Sequence, residues 1–565
     1  MTRKLIECVP NFSEGRDMQV IKQITDEVEG VEGVRLLDVD PGAATNRTVV
    51  TFVGEPEKVM EAAFRAVRKA SEVIDMRHHH GEHPRMGATD VCPLVPIAGV
   101  TMEECVEYAR TLARRIGEEL GIPVFCYESA AYTPERRNLA VCRSGEYEGL
   151  AKRFAEGVRP DFGPAVIDDY TARTGATAVG ARDFLVAINY NLNTTSTRRA
   201  NSIAFDVREK GRKKREGDPI TGKVVKDADG NVVWIPGTLK GCKAIGWYIE
   251  EYGIAQVSMN VTNINVTPVH VAFDEVCEKA HARGIRVTGS EIVGLIPKKV
   301  LIDAGKHYLA KQNRSCGIPE DDIVKIAVKS MGLDDLKPFN PREKVIEYIL
   351  EDSDKTPKLV DLTVRGFAEE TSRESPAPGG GSISAYMGSL GAALGAMVAN
   401  LSSHKRGWDD QCPKFSQWAE KGQELMYELL HLVDEDTAAF NRIMDAMSLP
   451  KKTDAEKEAR AAAMQEATLY ATEVPLRTMK ASFKVFELVE AMASEGNPNS
   501  VSDAGVGALA ARSAVLGAFL NVKINAAGLK DREKAGALVT EAAEIAAEAE
   551  VQEKKVLEIV NSKIN

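Results

Sequence analysis

The stretch RHHHGEHPRMG (77–87) places His78, His79, His80 and His83 within six positions, and the whole chain has only nine histidines. Such a cluster can hold a metal, supply a proton-transfer base, or be a polar loop without chemistry. Metal sites need ligands that converge, commonly at i,i+4 on a helix. Only His79 and His83 have that spacing, and Gly81 and Pro84 argue against a helix there. A loop base suits the residue type better, because an unperturbed imidazole titrates near neutrality and Arg85 is placed to hold an anionic substrate beside it. Spacing alone leaves the solvated loop open.

Two further constellations carry carboxylates. LLDVDPGAATNRT (36–48) brings Asp38 and Asp40 off a strand into a glycine-containing turn. Carboxylates there commonly cap turns; the functional alternative is that Asp40 orients or charges a catalytic histidine. In LMYELLHLVDEDTAAFNRIMDAM (425–447) the apolar stripe runs 425, 429, 433, then 440, 443, 444 and 447, and the position that would fill its gap is Asp436. A carboxylate on a buried helix face is costly unless paired or used, and function is the favoured reading over a structural ion pair.

SPAPGGGSISAYMGSLGAALG (375–395) is a glycine-rich loop running into a helix, whose first N–H groups at Gly379, Gly380 and Gly381 are open to an anion or polar ring. It lacks the Lys-Ser/Thr of a phosphate-binding loop, and Gly388, Gly391 and Gly395 most simply allow close helix packing. GNPNSVSD (496–503) offers Asn497, Asn499 and Asp503 at another helix start, where capping is the plainer reading.

The elements that position these residues fall into two classes. The first half alternates strands (4–12, 34–40, 47–54, 91–97, 122–127) with helices (17–30, 57–74, 102–120). A second unit of the same type begins at 184, with strands near 184–192, 257–266 and 285–296 and a helix near 269–283. Both read as α/β or α+β units, a sheet covered by helices. Between them, 211–237 reads as a projecting hairpin around DADGN; its GRKKR run could bind an anion, but a solvated loop is the favoured reading. After a polar linker at 351–358 strands vanish, and helices are expected at 359–372, 382–401, 411–447, 454–493, 501–524 and 530–562, an all-α bundle. The domains are thus 1–182, 183–350 and 359–565.

Composition narrows the class. A chain of 565 residues exceeds a single core, and 44% hydrophobic with 27% charged residues is ordinary for a soluble protein. A net charge of −11 argues against nucleic acid or an anionic membrane as the main partner. Nine scattered cysteines without a CxxC pair read as reduced thiols of a cytoplasmic protein. The uncharged run from 375 to 404 is rich in Gly, Ala and Ser, and reads as a buried bundle helix rather than a membrane span.

Taken together, ECVPNFSEG (7–15), LLDVDPG with TNRTV (36–49), GEHPRMGATDVCP (81–93), PDFGP (160–164) and GATAVGARDFL (175–185) resemble the formiminotransferase domain of the formiminotransferase-cyclodeaminase family. APGGGS (377–382), LVDEDTAAF (432–440) and the 502–525 region resemble its cyclodeaminase domain. The segment 211–237 is longer than the family's usual loop there. The resemblance implies transfer of the formimino group from N-formimino-L-glutamate to tetrahydrofolate, followed by ring closure to methenyltetrahydrofolate with release of ammonia, in histidine degradation. It implies a catalytic histidine at His83 and a catalytic aspartate at Asp436. The Asp40 carboxylate is expected to support the imidazolium. Folate is expected along the segment from Gly163 and Pro164 to Gly175, with Arg85, Gly379–Gly381 and Asp503 as further substrate contacts. The resemblance further implies a ring-like homo-oligomer. No metal or redox cofactor is expected, and no nucleic-acid or membrane partner. Two alternatives stay open: a methenyltetrahydrofolate cyclohydrolase in the second half, or a folate-binding scaffold with inactive sites.

Overall fold

The computed structural model describes residues 4–42, 46–81, 84–217, 221–353, 357–375 and 377–564; His83 lies outside them. Compactness divides the chain into two units. One is Met1–Pro297 with Arg342–Leu350, the other Lys298–Pro341 with Glu351–Asn565.

The first unit opens with β1 (Leu5–Cys8) and β2 (Asn11–Phe12), two pieces of one strand interrupted at Pro10, which has no N–H to donate. They lie between β4 (Arg47–Gly54) and β5 (Thr89–Ala98). β3 (Val34–Gly42) pairs antiparallel with β4 on the outer side, with Asp40 opposite Val49. On the other side β5 runs parallel to β7 (Thr177–Ala181), and β7 parallel to β6 (Val124–Glu128). Alternation sends Ile6, Cys8, Phe52, Cys92, Leu94 and Val179 to one face, where α1 (Met18–Glu29), α2 (Pro56–Val73) and α3 (Met102–Glu119) cover them. The helical period expected at 102–120 is seen directly: Cys105, Ala109, Leu112, Ala113 and Ile116 are the buried stripe, and Thr101 with Glu104 closes a capping box at its start.

A second, fully antiparallel sheet follows. Its strands are β8 (Val186–Leu192), β9 (Cys242–Ile249), β10 (Ile254–Val261) and β11 (Val287–Val293), in the order β9-β10-β8-β11. α4 (Thr197–Val207) and α5 (Val269–His281) accompany it. Gly246 of β9 lies so close to the backbone of Ala200 and Asn201 in α4 that a Cβ there would overlap it. The segment after α4 is the expected hairpin: Arg212–Lys213 pairs with Trp234–Ile235, with bridges Arg215–Val224 and Lys226–Val232 on the way to the Asp227–Asn231 turn.

The second unit is helical: α6 (Lys299–Lys311) and α7 (Glu320–Met331), then α8 (Gly380–Ser403), α9 (Cys412–Ser448), α10 (Asp454–Glu495), α11 (Val501–Ala526) and α12 (Arg532–Ile564). α6 and α7 precede the linker at 351–358, yet they pack with the bundle. The Gly317 backbone lies on Ala419, Lys306 pairs with Glu420 at 2.6 Å, Cys316 N–H donates to Ser416 Oγ at 2.9 Å, and Asn400 donates to the Gly317 carbonyl at 2.7 Å. The compact units therefore differ from the division at 351–358 that composition suggests. Composition marks where strands end, whereas these contacts join residues about a hundred positions apart.

α8 and the stretch Pro498–Ala526 are both long and apolar enough to cross a membrane, but 61% of the most apolar window of α8 is buried within the protein. Its glycines explain how. A Cβ at Gly388 would meet Ser482, one at Gly395 would meet Leu488, and Gly391 lies against the Gly507 carbonyl. Gly422 of α9 sits directly on the Ala396 backbone. Gly422→Leu is expected to destabilise the helical unit by roughly 1–3 kcal/mol through overpacking, read as a lower melting temperature by circular dichroism; an unchanged value would show that the α8–α9 contact yields freely.

Candidate active sites

The described residues of the loop between α2 and β5 are held by two buried ionic anchors. The first is Arg85, whose side chain is only 8% exposed. Its guanidinium donates to Glu148 at 2.7 and 2.9 Å, to Glu146 at 3.3 Å, to the His79 carbonyl at 3.2 Å and to His79 Nδ1 at 3.3 Å. A guanidinium only donates, so Nδ1 is the acceptor and carries no proton. The proton is on Nε2, which donates to the Asn46 carbonyl at 2.8 Å. His79 is thus held as one neutral tautomer, and burial, reinforced by the nearby Arg85 charge, lowers its pKa. Asn46, in the left-handed region at φ 48°, accepts from Gly15 N–H at 3.0 Å and donates to the His80 carbonyl at 2.9 Å.

The second anchor is Asp90, 1% exposed at the start of β5. It accepts from Met86 N–H at 3.1 Å and pairs with Arg143. Ser13 completes the clasp by donating to the Gly87 carbonyl at 2.7 Å. His80, Gly81, Arg85, Gly145, Glu146 and Glu148 then line a cleft of about 480 Å³. The described flanks of residue 83 border that cleft.

The other candidates fall around this loop unevenly. Asp40 is exposed on β3, near enough to Arg47 to attract its charge. Gly163, at φ 81°, backs onto the Ile122 carbonyl with no room for a Cβ, and Pro164 follows it, half-buried. Val166 (54%), Ile167 (39%) and Tyr170 (40%) are exposed along the same segment. Gly175, at φ 67°, closes it against Met86 and Gly87, tied by Ala176 N–H to the Met86 carbonyl at 2.8 Å and Ala88 N–H to the Thr174 carbonyl at 2.7 Å. The stretch from Gly163 to Gly175 is therefore fastened at its far end to the histidine loop. The expectation that Arg85 meets a substrate anion needs correction, because two carboxylates already occupy its guanidinium; it positions the loop. His79, the other histidine with i,i+4 spacing to His83, is a buried structural element, with both ring nitrogens bonded within the protein.

Asn46, Asp90, Arg143, Glu146 and Glu148 escaped the sequence reading, since their partners lie 31 to 63 residues away. So did Glu7 on β1, which is 4% exposed; burial pushes its carboxyl up to about 7, opposed only by Arg182.

In the helical unit the three acids of LVDED separate. Asp434 accepts from Leu359 N–H at 2.6 Å, and Glu435 lies 3.7 Å from His431. Asp436 reaches the start of α8: its Oδ2 is 3.1 Å from Ser382 Oγ, the Ser382 N–H donates to it, and a Cβ on Gly381 would overlap its carboxylate. Gly379 is the N-cap, so the anion that the glycine-rich helix start receives is this protein's own carboxylate. Burial raises the Asp436 pKa, and the Ser382 donors oppose that shift.

Asp503 does not join this site. α8 and α11 run antiparallel, with Gly380 beside Asn521 and Gly391 beside Gly507. At 1.5 Å per residue, Asp503 sits roughly 27 Å along α11 from Asn521. Asn497 caps the short turn Pro498–Ser500 by accepting from Asn499 N–H.

Residues 5–182 match the model of the formiminotransferase domain, N-terminal subdomain, 187–351 that of the formiminotransferase domain, and 363–544 that of formiminotransferase-cyclodeaminase. The chain is 42% identical over 530 residues to formimidoyltransferase-cyclodeaminase of Mus musculus, covering 94% of this chain and 93% of that one. Its first part is 44% identical over 307 residues to glutamate formimidoyltransferase of Streptococcus pyogenes serotype M1, covering 54% and 93%. Another part is 40% identical over 203 residues to methenyltetrahydrofolate cyclohydrolase of Methylorubrum extorquens, covering 36% and 98%.

The neutral His79 has a pH consequence. Its folded pKa lies below the ordinary 6.5, so the unfolded chain takes up a proton that the folded loop refuses. The stability that this difference provides is present above 6.5 and is lost as pH falls from there toward the folded pKa. Glu7, raised to about 7, works in the opposite sense over the same range, so the loss is read as a difference: in denaturant unfolding between about pH 7.5 and 5.5 the parent should lose stability relative to His79→Gln as pH falls. Equal slopes in both proteins would show that His79 titrates freely.

Proposed function

The chain belongs to the formiminotransferase-cyclodeaminase family, and from that premise we propose that it carries both activities on one polypeptide. The first unit transfers the formimino group of N-formimino-L-glutamate to tetrahydrofolate, and the helical unit closes the product to methenyltetrahydrofolate with loss of ammonia. The observation that carries the reading is the Asp436 carboxylate, seated on a glycine-rich helix start within a likeness that runs through both halves.

The chemistry fits the residues. In the transfer, the pterin-ring nitrogen attacks the amidinium carbon and gives a tetrahedral adduct. A base takes the proton of the attacking nitrogen and returns it to the leaving glutamate nitrogen. His83 serves both steps in turn. The neighbouring His79 is excluded from that shuttle because both ring nitrogens are already bonded. Asp40 supports the imidazolium form of His83. The folate lies along Gly163, Pro164 and the segment to Gly175, whose tie to Met86 and Gly87 fixes it relative to the loop. Orientation of two bound reactants supplies much of the rate.

In the second step the other folate nitrogen attacks the same carbon. The adduct loses ammonia, and the cationic five-membered ring forms without water being consumed. A carboxyl raised by burial can give a proton to the departing nitrogen and take one from the attacking nitrogen, which is the role of Asp436. Gly379 and Gly380, which are not buried, leave room for the folate at the helix start, beside the Asp436 carboxylate that lies against buried Gly381. The likeness to the Methylorubrum extorquens protein favours one alternative for this unit, hydrolysis of methenyltetrahydrofolate.

The same reading puts the enzyme's work in histidine degradation, in the cytoplasm, as a homo-oligomer without nucleic-acid or membrane partners. Nine scattered cysteines without a CxxC pair, the net charge of −11 and the exposed Leu520 and Ile524 on α11 support that reading.

A coupled assay tests the proposal: protein, formiminoglutamate and tetrahydrofolate are mixed, and methenyltetrahydrofolate absorbance and ammonia are followed. His83→Ala should reduce formation from formiminoglutamate by about 100-fold or more. Asp436→Asn should let the formimino intermediate accumulate while keeping the melting temperature, because it removes a charge whose burial raises its pKa. Transfer untouched by His83→Ala would assign the base elsewhere, and water consumption without ammonia release would favour the cyclohydrolase.

A further inference from the structure

The hairpin after α4 folds back over that helix and encloses a cleft of about 470 Å³. Arg198 lines it from α4, Arg208 from the C-cap of that helix, and Arg212, Lys213 and Arg215 from the hairpin. No carboxylate lines it among the described residues, although the chain as a whole carries a net −11. Asp206 lies behind this row and pairs with Arg212 and Arg283. The remaining four cations have no ion pair among the described residues. Arg208 donates to the Gly211 carbonyl at 2.9 Å and lies over the Phe205 ring at 4.0 Å, and Arg215 donates to the Gly222 carbonyl at 2.7 Å; neither contact supplies an opposite charge. Arg212 Nε is buried with no hydrogen-bond partner among the described residues. Four such charges beside the paired Arg212 repel each other unless an anion joins them.

Two aromatic rings share the cleft, Phe205 from α4 and Trp234 from the hairpin. Trp234 is 36% exposed, with Lys210 over its ring at 4.8 Å. Guanidinium forks match phosphate oxygens in pairs, and a flat heterocycle stacks on an indole face. The volume lies within the usual range for small-molecule sites. The cleft is on the α4 side of the second sheet; the opposite face carries the bonded row Asn191, Gln256 and Trp247.

We propose that this cleft is a binding site for a nucleoside polyphosphate, with the phosphates on Arg198, Arg212, Lys213 and Arg215 and the base against Trp234 and Phe205. It is independent of both proposed reactions and involves none of their residues.

Calorimetric titration of the full chain with ATP, tripolyphosphate, adenosine and tetraglutamate tests it. ATP should saturate at concentrations on the order of micromolar, more tightly than tripolyphosphate, with adenosine weak. Arg198→Gln combined with Lys213→Gln should weaken ATP by about tenfold or more without altering the melting temperature or formimino transfer. Trp234→Ala should weaken ATP and leave tripolyphosphate unchanged. Lack of ATP binding at millimolar concentration, or binding unaffected by the paired glutamine variant, overturns the site. Equal affinity for ATP and tripolyphosphate overturns the nucleoside part. Tetraglutamate binding more tightly than ATP overturns the phosphate assignment in favour of a polycarboxylate.

Discussion

A guanidinium removed from water has to place its donors, and in the first unit Arg85 places them on Glu148, Glu146 and both the ring and carbonyl of His79. Much follows from that one side chain. Because it only donates, His79 is fixed as the Nε2–H tautomer. That proton then claims the Asn46 carbonyl, and Asn46 turns left-handed to reach Gly15 and His80. A loop rich in glycine, proline and histidine would otherwise sample many conformations. A cation buried beside it converts that freedom into a defined edge of the cleft. Asp90 does the same with the opposite charge, holding Met86 N–H on one side and Arg143 on the other.

The helical unit solves a similar problem with a carboxylate and a helix start. Asp436 is accommodated because Gly381 has no side chain and because Ser382 presents both N–H and O–H to it. Burial and donation pull its proton affinity in opposite directions. A carboxyl balanced between them is suited to exchange a proton with a nitrogen that changes basicity during the reaction.

What was legible in the sequence was what depends on neighbours close in the chain. The 3.6-residue stripe located α3 and the long helices, and a break in one stripe singled out Asp436. Glycine spacing at 388, 391 and 395 announced the close packing of α8. What escaped depends on chain-distant partners. Nothing local distinguishes the buried His79 from the exposed His78 and His80. Arg85 looks like a substrate cation until Glu146 and Glu148, about sixty residues on, are brought against it. Asp503 looks like a partner for the glycine-rich turn until the antiparallel course of α8 and α11 carries it to the far end of the helix pair. The place of α6 and α7 with the bundle rests on Gly317 and Ala419, a contact that no composition window contains.

The meeting of Gly87 and Gly175 has a mechanical meaning. Backbone lies on backbone there, with hydrogen bonds passing in both directions between 86–88 and 174–176. A side chain added to either glycine would shift both segments together. The proposed catalytic loop and the proposed folate stretch are therefore one mechanical part. A change at that joint reaches the proposed cosubstrate stretch and the proposed catalytic loop at once, whereas the exposed Val166, Ile167 and Tyr170 lie away from it.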